Sequence, residues 1–298
     1  MPTESASYRG RFAPSPTGPL HLGSLLAAVA SHLDARANHG EWLVRIDDLD
    51  TPRTVSGAAD AILRSLERHG LEWDGAVVRQ SERTPLYRDA FDRLVREGRT
   101  FRCSCSRSAL GDERVYPGTC RARREPAVGS SAVRVRVDDA VVAFDDAIQG
   151  PVVQALARDV GDFVVLRRDG LFAYQLAVVV DDAEQGIDHI VRGADLLDNT
   201  PRQLFLYDAL GLRRPRHAHV PVLLARDGQK LSKQTFAASV DGINPVENVL
   251  AVLDLLGQDP PSALRHEPID RVIDWGTTNW SIAKVPTGPA LSGFICLC

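Results

Sequence analysis

Lysine is nearly missing from this chain of 298 residues: among 35 basic side chains only Lys230, Lys233 and Lys284 are lysines. Arginine is the default cation, so two lysines sharing one short segment stand out. Five cysteines, an odd number in so long a chain, make no disulfide framework. No run approaches about 18 uncharged apolar residues, and the N-terminus lacks a basic-plus-apolar leader. The expectation is a soluble, cytoplasmic protein without a membrane partner. Neither sign of charge dominates, since 39 acidic against 35 basic residues leave a net charge of −4. That excludes a basic coat for nonspecific nucleic-acid binding and leaves room for local basic patches. There is no Walker-type glycine loop with lysine, no internal repeat and no low-complexity linker. What is present is apolar content of 44%, enough for a sizeable core.

Residues 1–9 are polar and expected to be loose. Pro14, Pro16 and Pro19 exclude helix from Arg11 to Pro19. From Leu20 the spacing turns helical (Leu22, Leu25, Leu26, Val29, Leu33) and stops at Asn38-His39-Gly40. A strand over Glu41 to Ile46 then feeds the acidic loop Asp47 to Asp50. Amphipathic helices follow over Ala58 to His69 and Tyr87 to Glu97. Phe101 to Pro126, with cysteines and arginines, has little periodicity. Strands are expected at Val133 to Val137, Val141 to Phe144 and Phe163 to Leu166, with a turn at Arg168-Asp169-Gly170. The rest reads as helix (Tyr174 to Asp182), strand (Ile187 to Arg192), helix (Thr200 to Leu210) and an extended run (His219 to Leu224). A loop and two more helices, beyond Asn244 and around Ile269, complete the chain. The simplest architecture is an α/β fold with a parallel sheet, interrupted by a strand-rich, cysteine-bearing insertion and followed by a short helical region. The divisions are 1–101, 102–172, 173–240 and 241–298.

Two constellations point to phosphate chemistry. His21-Leu22-Gly23-Ser24 opens a helix, whose first N–H groups favour an anion. His21 has a hydrogen to donate and Gly23 permits close backbone approach; the competing reading is an ordinary helix start. Lys230-Leu231-Ser232-Lys233 offers two ammonium groups to a triphosphate, against the plainer reading of a solvated loop. Cys103, Cys105 and Cys120 supply three thiolates where structural zinc wants four ligands, and no histidine lies between residues 70 and 188. Buried free cysteines are the alternative, and Cys296 and Cys298 are left unassigned.

Phe12-Ala13-Pro14-Ser15-Pro16-Thr17-Gly18 with His21-Leu22-Gly23-Ser24 resembles the first signature of class I aminoacyl-tRNA synthetases in its glutamyl form; Lys230-Leu231-Ser232-Lys233 resembles the second. The resemblance covers about residues 9–285. Because the chain stops soon after the catalytic core, it is most similar to the glutamyl-queuosine tRNA(Asp) synthetase family, truncated paralogues without the large anticodon-binding region. The resemblance implies a Rossmann-like sheet, ATP with Mg2+, formation of glutamyl-adenylate, and transfer of L-glutamate to queuosine in tRNA(Asp). It places His21 and Gly23 against ATP, Ser24 where ordinary glutamyl synthetases carry a second histidine, Lys233 as the transition-state contact and Lys230 in support. It assigns Arg11 and Arg192 to glutamate's carboxylates, Ser15 and Tyr174 to its orientation, and Asp47, where the family has glutamate, to its ammonium. It also offers Tyr116 as a fourth zinc ligand beside Cys103, Cys105 and Cys120.

For RNA, Arg114, Arg121, Arg123 and Arg124 flank the cysteines, and Arg213, Arg214, Arg216, His217 and His219 form a second basic patch. The expected state is a monomer. The competing functions are a shortened glutamyl-tRNA synthetase charging a 3′ end, an inactive tRNA-binding paralogue, and a glutamate-activating enzyme with a non-RNA acceptor.

Overall fold

A computed structural model of the protein describes residues 8–110, 115–123, 130–224 and 239–291. Its first strand, β1 (Arg9–Phe12), begins at the last residue of the stretch expected to be loose and runs into the segment from which helix was excluded. Tyr8, just before it, is buried, stacks on His189 with ring centroids 4.0 Å apart, and donates its hydroxyl to Asp34. β1 runs parallel to β2 (Glu41–Ile46), and β2 to β3 (Val78–Arg79). The connection from β1 to β2 is α1 (Leu22–Ala37), which buries Leu25, Leu26, Val29 and Leu33. The return is tight at Gly40, where a Cβ would lie 2.3 Å from the Tyr8 carbonyl oxygen, so only glycine fits. After β2 come α2 (Ala58–Arg68) and α3 (Thr84–Arg96), both foreseen from their apolar spacing.

The second half repeats the pattern. α6 (Tyr174–Glu184) leads into β9 (His189–Gly193), and α7 (Thr200–Ala209) joins it to the parallel strand β10 (Arg216–Val220). β10 pairs in parallel with β6 (Val141–Asp146), which carries β7 (Gly150–Ala155) antiparallel at the edge. The halves meet where the Asp188 N–H donates to the Arg9 carbonyl at 3.1 Å. The result is a Rossmann-like parallel sheet whose halves wind outward from β1 and β9.

Segment 102–172 thus lends β6 and β7 to the parallel sheet. Its other strands, β5 (Ala132–Val135) and β8 (Val164–Leu166), join β4 (Thr100–Cys103) in a small antiparallel sheet. The short helices α4 (Arg107–Leu110) and α5 (Leu156–Asp159) lie in the same stretch. Toward the C-terminus, α8 (Pro245–Leu255) and α9 (Ile269–Asn279) share the core of α1 through Val249, Val252, Leu253 and Val272. β12 (Ala290–Leu291) adds to β11 (Val222–Leu223). Among the described residues no helix is long and apolar enough to cross a membrane.

Candidate active site

Open α/β sheets take ligands beyond the C-terminal ends of their strands, where the winding reverses. There β9 delivers Arg192, 5% exposed. Its Nε donates to His219 Nε2 at 3.0 Å, and its Nη2 to Thr200 Oγ1 at 2.8 Å and Gln203 Oε1 at 2.7 Å. Nη1 is buried with no hydrogen-bond partner, and among the described residues no carboxylate pairs with this guanidinium. Burial pulls its pKa below the ordinary arginine value. An unpaired buried cation is costly, so the arrangement calls for an anion from outside.

Tyr174 opens α6 and remains 38% exposed. Burial of its hydroxyl raises the pKa, and the charges acting on it are those of Arg192, Asp47, Arg11 and Asp182. One phenol therefore gathers four of the charged groups around it. Asp47 follows β2 directly; its N–H donates to the Pro14 carbonyl at 3.0 Å and its Oδ1 accepts from Arg45 Nε at 2.7 Å. Burial lifts its pKa to about 6 against the pull of Arg45. Arg11 commits Nε and Nη2 to the two oxygens of Asp182 on α6, each at 3.1 Å. Ser15 is exposed in the proline loop, its carbonyl accepting from Thr17 N–H at 2.9 Å.

His21 caps α1: its Nδ1 accepts from the Ser24 N–H at 3.2 Å and its Nε2 lies 3.0 Å from Ser24 Oγ. Ser24 thus fixes the ring, with half-buried Gly23 in the same turn. Val240 N–H donates to the Leu20 carbonyl at 3.1 Å and Ser239 bridges to His21, so the chain rejoins the fold beside this helix start. Lys230 and Lys233 lie outside the described residues.

Against this geometry, residues 7–248 match the family described as tRNA synthetases class I (E and Q), catalytic domain. The Glutamyl-Q tRNA(Asp) synthetase of Aromatoleum aromaticum is 54% identical over 94% of this chain and 90% of its own length. That of Chromobacterium violaceum is 52% identical over 96% of this chain and 97% of its own. The chain belongs to the glutamyl-Q tRNA(Asp) synthetase family. A crystal structure of a glutamate tRNA ligase from Elizabethkingia meningosepticum, in complex with its amino acid, superposes with a TM-score of 0.80 at 26% identity. It is matched over 95% of this chain and 66% of that one, so the chain spans about two thirds of the solved ligase.

In this glutamyl-Q synthetase family member the cysteines foreseen as metal ligands come together. The sulfurs of Cys103, Cys105 and Cys120 all lie within 4.8 Å of one another. Cys105 and Cys120 are 3.5 Å apart, and the Cys103 thiol donates to Tyr116 Oη at 3.5 Å. Tetrahedral sites with metal–sulfur bonds of about 2.3 Å bring sulfurs to comparable separations. The cluster fits a thiophilic metal ion. Burial pushes the Tyr116 phenol pKa up, a shift that a bound cation would oppose. The Cys120 N–H already donates to that oxygen at 2.8 Å. Cys105→Ala is expected to lower the protein's metal content and loosen the chain around Cys103 and Cys120 more than the surroundings of Arg192. Elemental analysis showing wild-type metal content would overturn Cys105 as a ligand.

Other residues fall differently from their sequence reading. His217 and His219 are buried on β10 and belong to no surface patch; burial keeps both pKa values low. Arg214 pairs with Asp208, while Arg213 and Arg216 stay exposed. Arg121 is held by Asp162 and Asp138, and Arg123 donates to Ser104 Oγ; Arg114 and Arg124 lie outside the described residues. Sequence reasoning missed Arg45, Asp182, Thr200, Gln203 and the pair Asp146 and His219. A usable signal was Asp181-Asp182 on the apolar face of α6, where both acids are buried.

Proposed function

We propose that the protein condenses L-glutamate with ATP, accompanied by Mg2+, to glutamyl-adenylate and pyrophosphate, then transfers the glutamyl group to queuosine in the anticodon loop of tRNA(Asp). Arg192 carries the first step: a buried guanidinium, aimed by three acceptors and lacking a carboxylate among the described residues, fits an anionic amino acid. The names of the relatives at 52–54% identity support the acceptor.

The chemistry needs no protein nucleophile. An oxygen of the substrate's α-carboxylate attacks the α-phosphorus and pyrophosphate leaves, so the protein must hold two anions together and stabilise growing phosphate charge. Arg192, with Arg11 in support, takes a glutamate carboxylate, Tyr174 and Ser15 orient the substrate, and Asp47 faces its ammonium. His21, Gly23 and Ser24 receive ATP, with Lys230 and Lys233 on its phosphates. Cys103, Cys105, Tyr116 and Cys120 would hold a zinc ion, which would stiffen the insertion, and the enzyme works as a cytoplasmic monomer.

Pyrophosphate exchange across all amino acids without RNA, followed by transfer to tRNA(Asp) carrying or lacking queuosine, tests both halves. Label on queuosine supports the proposal. Label esterified at the 3′ end supports the reading favoured by the likeness to glutamate tRNA ligases. Lys233→Ala is expected to slow glutamate-dependent exchange about 100-fold, the loss typical for one donor to transition-state charge. Near-normal exchange with an intact fold would remove Lys233 from its role.

A further inference from the structure

Asp146 ends β6 and contributes to no ligand contact argued above, yet it is buried and fully engaged. Its Oδ1 accepts three backbone N–H groups, from Ile148 at 3.1 Å, Gln149 at 2.9 Å and His219 at 3.0 Å. Oδ2 is left for His219 Nδ1, 2.5 Å away. On the far side of that ring, Nε2 meets Arg192 Nε at 3.0 Å and Thr200 Oγ1 at 3.1 Å. An arginine nitrogen can only donate, so Nε2 must be the accepting nitrogen. An ionised carboxylate can only accept, so the ring proton must sit on Nδ1. The two neighbours demand the same tautomer from opposite sides. The three residues come from β6, β10 and β9, strands adjacent in the sheet, so the chain of bonds crosses rigid backbone to the guanidinium.

We propose that Asp146 and His219 are positioning residues: Asp146 locks His219 as the Nδ1–H tautomer, and His219 thereby aims the Arg192 guanidinium at the amino-acid carboxylate. This rests on the reading of Arg192 as the glutamate-binding residue. Burial and the Arg192 charge keep the ring's pKa low, in keeping with a neutral imidazole. The lock also explains why an arginine with no carboxylate partner among the described residues holds one orientation. Its Nε is fixed by the ring and its Nη2 by Thr200 and Gln203, which turns the remaining nitrogen, Nη1, away from those partners.

Asp146→Asn is the discriminating change. The asparagine oxygen can keep all three backbone N–H groups, while its amide nitrogen, which only donates, replaces Oδ2 opposite His219 Nδ1. The ring must then accept at Nδ1 and carry its proton on Nε2, facing the Arg192 Nε–H donor to donor. In pyrophosphate exchange the glutamate KM is expected to rise about 10- to 100-fold, by analogy with loss of the carboxylate that orients a metal-ligating histidine, with the ATP KM within about twofold of wild type. Nitrogen-15 NMR should find the His219 proton on Nδ1 in the wild type and on Nε2 in the variant.

His219→Gln retains an oxygen for Arg192 but no link to Asp146. Adding Asp146→Asn to that background should then change the glutamate KM by less than about twofold. Three outcomes overturn the proposal: an unchanged glutamate KM in Asp146→Asn, a wild-type proton on Nε2, or equal losses for glutamate and ATP in both backgrounds, which mark a general folding defect. If the wild type exchanges with no amino acid, or with one other than glutamate, the functional reading fails first and takes with it the purpose assigned to the lock.

Discussion

Replacing Arg192 with alanine is expected to reduce glutamate-dependent pyrophosphate exchange about a thousandfold. Removing one member of a buried charge pair costs about 3–5 kcal/mol, and each 1.4 kcal/mol is a factor of ten in binding. The loss should lie in the glutamate KM, because ATP is proposed to contact the His21 turn and the lysine segment. Arg192→Lys keeps the charge but not the fork that reaches Thr200 and Gln203 at 2.8 and 2.7 Å. A compact ammonium cannot serve those acceptors and a carboxylate together, so it should recover only part of the activity. Binding gives a second readout, since a ligand that favours the native state raises its melting temperature. Glutamate should stabilise the wild type and leave Arg192→Ala unmoved. An alanine variant that still responds to glutamate at wild-type concentrations would show that the anion binds elsewhere.

The sequence carried the parts of the fold that apolar spacing encodes. Leu25, Leu26, Val29 and Leu33 announced α1, and Trp42, Val44 and Ile46 announced β2, because each buries a local stripe in the core. Cys103, Cys105 and Cys120 were also legible as a group, since metal ligation draws on few residue types at short separations. Buried charge was not legible. Arg9-Gly10-Arg11-Phe12 lacks apolar alternation, and Arg11 can enter the interior only because Asp182, 171 residues later, meets both arms of its fork. His217 and His219 looked like a basic patch for the same reason: the carboxylate that buries His219 is Asp146, 73 residues earlier and on another strand. Such pairs are chosen by long-range complementarity, and a local window of residues shows only one partner at a time.

Asp182→Ala should be the most destabilising single change in the site, by about 3–5 kcal/mol. Asp182 accepts from Arg11 on β1 at 3.1 Å through both oxygens and from Arg45 on β2 at 2.6 Å, so one side chain of α6 clamps two strands of the opposite half. Its removal leaves Arg11 with no anion among these contacts and Arg45 with Asp47 and Asp181. Typical domains are stable by only 5–15 kcal/mol, so the denaturant midpoint should fall sharply at neutral pH. The pH dependence separates charge from packing. Burial alone would raise the Asp182 pKa, yet Arg11 and Arg45 hold it down at about 2, below the ordinary carboxylate value of about 3.9. A depressed carboxylate contributes stability above its unfolded pKa and loses it as the pH falls through the folded one. The gap between wild type and Asp182→Ala should therefore be full above about pH 4 and narrow toward pH 2, as far as the wild type stays folded. Asp182→Asn, which keeps an acceptor without the charge, should lie between them and show little of that narrowing. A gap that stays constant from pH 7 to pH 3 and is matched by Asp182→Asn would assign the effect to shape. Arg11 would then be buried for a reason other than its pairing with α6.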